Sequence, residues 1–105
     1  MLAKKFKLPL RRFLAEKQKR HFDSPLFAVF IRENRLGYNR VGVTIANKAE
    51  KKAVRRNALR RIMFRHAGEW PRKSLDIHFI AKSQLSKASP ADIKKELDRF
   101  IVSAS

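Results

Sequence analysis

The sequence predicts a single α+β domain, in which several strands and three helices share one core. Short segments alternate apolar with polar residues, as strands do, whereas longer segments repeat apolar residues at the helical spacing i, i+3, i+4. Hydrophobic residues make up 44% of the 105 residues and include eight Phe, which is enough for a core. No repeat, low-complexity tract or long linker divides the chain. We therefore expect residues 1–105 to form one domain, with residues 1–7 as a flexible basic N-terminus.

The N-terminal part of the chain is predicted to be helical. Within residues 8–19, Leu10, Phe13 and Leu14 follow the spacing i, i+3, i+4, and the remaining sides of the segment are basic. The turn-forming sequence Asp-Ser-Pro at residues 23–25 then ends this part of the chain. A short amphipathic helix followed by a turn is the prediction.

Two strands are predicted next. Residues 26–32 form a mostly apolar run, in which one face would carry Phe27, Val29 and Ile31. Residues 40–46 alternate larger apolar residues with small or polar ones: Val41, Val43 and Ile45 against Gly42, Thr44 and Ala46. The connection between the two segments contains the turn-forming residues Asn34, Gly37 and Asn39. We predict that the two strands pair as an antiparallel hairpin.

Residues 48–65 are the most basic part of the sequence, with eight Lys or Arg and one acid, Glu50. The stretch can form a single helix. At about 100° per residue, one side would pack against the core and carries Val54, Ala58 and Ile62. The opposite side carries Arg56, Asn57, Arg60 and Arg61. A helix that needed only solubility would interleave Glu with Lys and Arg, so this side is predicted to bind an external anion.

The last two elements follow a break at Gly68 and Pro71. Leu75–Ala81 alternates Leu, Ile and Phe with Asp76 and His78, which predicts a further strand. Ser89, Pro90 and Asp92 match the first residues of a helix: N-cap, N1 and N3. The helix after them has an apolar stripe formed by Ile93, Leu97, Phe100 and Ile101. This terminal helix is expected to pack on the sheet.

The charge of the chain indicates a nucleic-acid partner. It has 26 Lys and Arg against 9 Asp and Glu, a net charge of +17 and an isoelectric point near 11.4. A disordered basic tail does not fit the patterned hydrophobic residues, and a merely soluble cationic domain does not fit a helix with eight Lys or Arg and a single acid. Arg predominates along the helix, and its planar guanidinium suits phosphate contacts. We therefore expect a folded RNA-binding or DNA-binding domain.

Several other classes of protein are disfavoured. The chain has no Cys, and its His residues (His21, His66 and His78) lack the spacing of metal ligands or of a catalytic group with a nearby carboxylate. No apolar run is long enough to span a bilayer, and no signal peptide is evident. A cytoplasmic protein that binds no metal or membrane, and is monomeric in the absence of RNA, is the expectation.

The segment VGVTIANKAEKKAVRRNALRRIMFR resembles the signature region of the protein subunit of bacterial ribonuclease P. The family has a strand, a Lys-containing loop and a helix with an Arg-Asn-Arg, Lys-Arg pattern. In this chain those features are carried by Lys48, Ala53, Val54, Arg56, Asn57, Arg60 and Arg61. The chain departs from the family where Ala58 replaces the second Arg of the motif, and where Phe64 replaces a further Arg, with Arg65 displaced by one. The resemblance extends over nearly the whole chain.

The resemblance implies an α-β-β-β-α-β-α domain with a left-handed β-α-β crossover and a first short strand near residues 21–24. It implies that the basic helix and its loop bind the catalytic RNA. The RNA-binding residues would be Lys48, Lys51, Lys52, Arg55, Arg56, Asn57, Arg60, Arg61 and Arg65. It also implies a cleft between the first helix and the sheet for the single-stranded 5' leader of precursor tRNA. Its candidate residues are Leu10, Arg11, Leu14, Ala28 and Phe30.

The resemblance further implies that the RNA subunit catalyses cleavage with its own Mg²⁺, and that the protein contributes no catalytic residue and binds no cofactor by itself. Core packing is the alternative interpretation for Phe30 and Leu14. A ribosomal or RNA-chaperone protein would explain the charge equally well, but not the Arg-Arg-Asn and Arg-Arg arrangement after the VGVTIA strand. An autonomous nuclease would need cleavage by the purified protein free of RNA.

Overall fold

In the computed structural model, which describes residues 7–8 and 20–103, four strands form one mixed sheet. The strands are β1 (Arg20–Asp23), β2 (Phe27–Glu33), β3 (Arg40–Thr44) and β4 (Leu75–Ala81). The basic helix is α1 (Ala53–Ala67) and the C-terminal helix is α2 (Pro90–Ser103), preceded by a 3₁₀ helix (Ser83–Lys87). This is the mixed α+β architecture that the sequence predicts, and β1 lies within one residue of its expected position.

The order of the strands differs from the sequence-based expectation. The sheet runs β1-β2-β4-β3, so β4 separates the two strands that were predicted to form a hairpin. β4 pairs antiparallel with β2 and parallel with β3. The predicted hairpin is therefore wrong. β4 buries side chains on both of its faces, Asp76 and His78 on one and Ile77 and Phe79 on the other, which fits a strand that pairs with neighbours on both of its edges.

The six-residue connection between β2 and β3 passes the beginning of β4. The backbone N–H of Asn34 donates to the carbonyl of Ser74 at 2.8 Å, and that of Gly37 donates to Ser74 Oγ at 2.8 Å. Gly37 has a φ of 80°, a left-handed conformation that favours glycine. The predicted turn residues therefore do lie in the connection between β2 and β3, but these two strands are not neighbours, because β4 lies between them.

The core lies between one face of the sheet and the two helices. Phe79 of β4 is at its centre, with ring centroids 5.3 Å from Phe27 and 5.5 Å from Phe100 in edge-to-face arrangements. The helices contribute Leu59, Met63, Ile93 and Leu97, all without solvent exposure. This face of the sheet is therefore covered by α1 and α2.

The C-terminal helix begins as the sequence predicts. The backbone N–H of Asp92 donates to Ser89 Oγ at 3.1 Å, and the N–H of Ser89 donates to Asp92 Oδ2 at 3.3 Å. These two hydrogen bonds form a capping box. The predicted stripe is also confirmed, since Ile93, Leu97 and Phe100 are buried and Ile101 is half-buried.

The basic helix differs from its prediction in length and in the side that packs. It begins at Ala53, so the loop before it carries Lys48, Lys51 and Lys52. Its buried residues are Leu59, Met63 and Ala67, whereas Val54 is 83% exposed and Ala58 and Ile62 are half-buried. Val54 was therefore wrongly assigned to the packing side. Leu59 and Met63 are larger apolar residues than Val54 and Ala58, and burying them removes more apolar surface from water.

The chain before β1 is described only at residues 7 and 8. Lys7 forms an isolated parallel bridge with Val41 of β3, and the N–H of buried Leu8 donates to the carbonyl of Val41 at 2.9 Å. The predicted helix at residues 8–19 lies, apart from residue 8, outside the described residues. The parallel β3 and β4 strands are joined through α1, as the resemblance implies. The left hand of this crossover stays a prediction.

Candidate nucleic-acid interface

We call the predicted RNA-binding residues of α1 and of the loop before it the basic surface. Its members are Lys48, Lys51, Lys52, Arg55, Arg56, Asn57, Arg60, Arg61 and Arg65. The helix contains no Asp or Glu. The acid of the loop, Glu50, accepts a hydrogen bond from the backbone N–H of Lys52 at 3.3 Å. Positive charge therefore predominates along this surface.

Two arginines of the basic surface contact backbone carbonyls of the protein. Arg56 Nη1 donates to the carbonyls of Glu50 and Lys51, both at 2.9 Å, and so holds the loop against the first turn of α1. Arg55 Nη2 donates to the carbonyl of Ser86 at 3.1 Å and ties α1 to the 3₁₀ helix. These contacts orient the loop lysines relative to the helix, which reduces the conformational entropy that a bound RNA would have to remove.

The other cations of the basic surface follow along α1 from its second turn to its last. Arg60 Nη1 donates to Asn57 Oδ1 at 3.1 Å, a bond between neighbouring turns of the same helix, and Asn57 is exposed. Arg61 and Arg65 are exposed as well. A guanidinium has five N–H donors in a planar fork, so Arg60 keeps donors beyond its bond to Asn57. Among the predicted residues, Arg55, Arg56 and Arg60 are therefore half-buried, whereas the others are exposed: Lys48, Lys51, Lys52, Asn57, Arg61 and Arg65.

The two departures from the family motif have different structural settings. Ala58 is half-buried on α1. Phe64 is also half-buried and packs against the core cluster, whereas Arg65 beside it is exposed. An apolar side chain at position 64 therefore contributes to packing, and the cation at position 65 faces solvent.

The sheet face opposite the helices, which we call the second face, carries the candidate leader residues of β2. Ala28 is 4% exposed and pairs with Ile80 of β4, while Phe30 is half-buried and pairs with His78. Phe30 is on the opposite side of β2 from the buried residues Phe27 and Val29, so it does not belong to the core between the sheet and the helices. The other candidates, Leu10, Arg11 and Leu14, lie outside the described residues.

The second face also contains a charged cluster that the sequence analysis did not identify. The carboxylate of Asp76 has no solvent exposure and accepts hydrogen bonds from three residues of β2, β3 and the loop between them. They are Arg40 (Nε to Oδ1 at 2.8 Å and Nη2 to Oδ2 at 2.7 Å), Arg32 (Nη2 to Oδ2 at 3.0 Å) and Asn34 (Nδ2 to Oδ1 at 2.9 Å). The signal in the sequence was an Asp inside an apolar strand, which needs partners if it is buried.

The Asp76 cluster keeps its carboxylate ionised. Burial by itself would raise the pKa of Asp76, but the hydrogen bonds from Arg40, Asn34 and Arg32 outweigh it and lower the pKa below its ordinary value of 3.8. In return, the hydrogen bond to Asp76 raises the pKa of Arg40. The cluster thus contains two guanidinium groups and one carboxylate.

His78, the next residue of β4 on the second face, is 1% exposed. Its Nε2 lies 2.8 Å from Thr44 Oγ1 of β3. Burial lowers the pKa of His78 from its ordinary value of 6.5, because the charged imidazolium would lose its hydration. The residue therefore acts as a neutral part of the sheet at pH 7.

This burial predicts a pH dependence of stability. Below pH 6.5 the unfolded chain takes up a proton at His78 that the folded chain accepts only at lower pH. The free energy of unfolding should therefore fall as the pH falls from 6.5 toward the folded pKa of His78. Urea unfolding at a series of pH values measures the free energy of unfolding as a function of pH. Its slope against pH in this range should be smaller in His78→Gln than in the wild type. His66→Gln is the matched control, and an equal slope in wild type and His78→Gln would contradict the prediction.

Two further observations concern the described part of the chain. Within residues 7–8 and 20–103, no three His, Cys, Asp or Glu residues lie close enough to hold a metal ion together. None of the described helices is long and apolar enough to cross a membrane.

The fold and the basic surface define a small cationic α+β protein with an arginine-rich helix following a parallel strand. The family model for ribonuclease P matches residues 11–105. The ribonuclease P protein component of Aliivibrio fischeri is 36% identical over 87 residues, which cover 80% of this chain and 74% of that protein. The chain therefore belongs to the ribonuclease P protein component family.

Solved structures agree with this assignment. The RNase P protein from Thermotoga maritima is similar with a TM-score of 0.75 and 31% identity, over 90% of this chain and 96% of that one. The Staphylococcus aureus RNase P protein has a TM-score of 0.80 over 95% of each chain. Its 19% identity supports the fold alone. A role in ribonuclease P, and so in tRNA processing, follows from the family.

Proposed function

We propose that this chain is the protein subunit of ribonuclease P and binds two RNA partners through different surfaces. The basic surface would bind the catalytic RNA, and the second face would bind the 5' leader of precursor tRNA. The observation that carries the proposal is the acid-free helix α1, in which Arg61 and Arg65 are exposed and Arg60 is half-buried, after a loop that Arg56 holds in place. Such a surface suits the phosphate backbone of a folded RNA.

The chemistry of cleavage is assigned to the RNA subunit. Mg²⁺ bound by that RNA would activate water and stabilise the leaving oxygen. The protein would reduce phosphate repulsion between the two RNAs and hold the leader, which raises kcat/KM if the contacts strengthen in the transition state. Phe30 provides an aromatic ring on the second face, where an unpaired base could stack.

The test is cleavage of precursor tRNA by the cognate RNA at limiting Mg²⁺, with and without this protein. We expect the protein to lower the Mg²⁺ requirement and to favour precursor over mature tRNA. The protein without RNA serves as the control for an autonomous nuclease. Binding to many RNAs without any effect on cleavage would instead support a ribosomal or chaperone role and refute the proposal.

Phe30→Ala should reduce the preference for precursor over mature tRNA, because base stacking on an aromatic contributes roughly 1 to 3 kcal/mol per base. Affinity for the catalytic RNA should change little, since the basic surface is on another element. Binding of both tRNAs and a melting curve should be measured for each variant. Phe22→Ala is the matched control: Phe22 is also half-buried, but it packs on Phe27 and Phe100. If Phe30→Ala unfolds the domain, or folds and discriminates like wild type, Phe30 is not a leader contact.

A further inference from the structure

Three strands bring two arginines to one carboxylate on the second face. Arg32 of β2 and Arg40 of β3 are both the register partners of Asp76 of β4. The Nη2 atoms of both arginines lie within 3.0 Å of the same Asp76 Oδ2, so their guanidinium groups are side by side. Without the carboxylate between them, two cations at this distance would repel each other.

The arginines differ from their carboxylate in exposure. The side chain of Asp76 is fully buried, whereas those of Arg32 and Arg40 are 28% and 20% exposed. Arg40 uses Nε and Nη2 for Asp76, and its Nη1 carries two further N–H donors. The carboxylate is therefore inside the sheet, and the two guanidinium groups that it holds reach the surface.

The strand register places this pair next to the proposed stacking residue. On the second face, the rung of Arg32, Asp76 and Arg40 is followed by the rung of Phe30 and His78. Same-face neighbours along a strand are about 7 Å apart. A single-stranded nucleic acid is commonly bound by an aromatic that stacks a base and by cations that follow the backbone. The strand register therefore places an aromatic ring, Phe30, next to a pair of cations, Arg32 and Arg40, on the same face of the sheet.

We propose that Arg32 and Arg40, held by Asp76, bind a backbone phosphate of the single-stranded leader next to the base that stacks on Phe30. This inference rests on the proposed function, because it requires the leader to lie on the second face. Asp76 is a positioning residue in this arrangement, since it acts through the two guanidinium groups. A phosphate contact carries no sequence information, so this position should accept any leader base.

A purely structural cluster is the competing explanation, and Arg32→Gln separates the two. The variant leaves Asp76 with both bonds from Arg40 and the bond from Asn34, so the domain should still fold. A melting curve of each variant confirms this, and Arg32→Lys retains the charge without the planar fork. Arg35→Gln is the matched control, because it removes the same charge from an exposed residue of the adjoining loop.

The experiment measures affinity of the holoenzyme for precursor tRNAs with a series of leader lengths. Arg32→Gln should weaken binding about tenfold, the effect of one charge-assisted hydrogen bond, only when the leader is long enough to reach the pair. The variant should also reduce the slope of log affinity against log salt concentration by about 0.7. Arg35→Gln should leave the dependence on leader length unchanged. An equal loss for leaderless tRNA, or no loss at all, would overturn the inference.

Single uncharged methylphosphonate linkages in the leader provide the second readout. One position should weaken binding to wild type and have no additional effect with Arg32→Gln, because both changes remove the same contact. Additive effects at every position would refute the contact. If wild type itself fails to prefer precursor tRNA, the proposed function and this inference both fail. If wild type shows the preference and Arg32→Gln retains it fully, only this inference fails.

Discussion

Replacing Arg60 and Arg61 together by alanine is expected to weaken binding to the ribonuclease P RNA about 100-fold, if each contacts one phosphate through a charge-assisted hydrogen bond. The salt slope of binding should fall by about one per lost contact. Thermal stability should change little, because Arg61 is exposed and the bond from Arg60 goes to the exposed side chain of Asn57. Titrations with the RNA at several salt concentrations test the loss of affinity, and a melting curve tests the unchanged stability.

The matched control is the double replacement of Lys94 and Lys95 by alanine. These two residues are exposed on α2, so the variant loses the same two charges from another helix. A nonspecific effect of net charge would weaken both double variants equally. We expect the α1 variant to lose far more affinity, and equal losses would show that the basic surface is not a docking site.

Asp76→Ala is expected to destabilise the domain by about 3 to 5 kcal/mol, the usual cost of removing one partner from a buried ion pair. Arg32 and Arg40 would lose the carboxylate that they share, and Asn34 would lose a hydrogen-bond acceptor. Chemical denaturation at neutral pH measures the change. Asp98→Ala is the control, since Asp98 is an exposed carboxylate of α2, and it should alter stability little.

Asp76 also predicts acid sensitivity. Its folded pKa is below the ordinary value of 3.8, so the unfolded chain binds its proton first as the pH falls. The stabilisation is therefore complete above that value and is lost as the pH falls through the folded pKa. Asp76→Asn should unfold with a weaker dependence on pH in this acidic range. An unchanged acid transition in Asp76→Asn would show that other carboxylates control it.

Local sequence patterns determined several parts of the fold. β4 has the bounds that its alternation predicts, and the capping box of α2 forms from Ser89 and Asp92 as expected. The capping box joins residues three apart in the chain, and the alternation of β4 is a pattern within one segment. The charge of α1 could also be predicted from the sequence, because it depends on composition alone. The family could be predicted as well, because its motif is contiguous in the chain.

Other features needed the tertiary structure. The predicted hairpin of β2 and β3 is wrong because β4, which comes later in the chain, pairs with both strands and separates them. The packing side of α1 was misjudged at Val54, because the side that packs is decided by the space between the sheet and α2. Neither property can be read from the spacing of residues within one segment.

The sequence by itself thus determined the class of fold, the positions of β4 and α2, the basic character of α1 and the family. Only the tertiary structure decided the order of the strands and the charged cluster of the second face. Asp76 receives hydrogen bonds from Arg32 and Arg40, which are 44 and 36 residues away in the chain. Contacts at such separation depend on strand register, which is fixed by the packing of the whole sheet rather than by any local pattern.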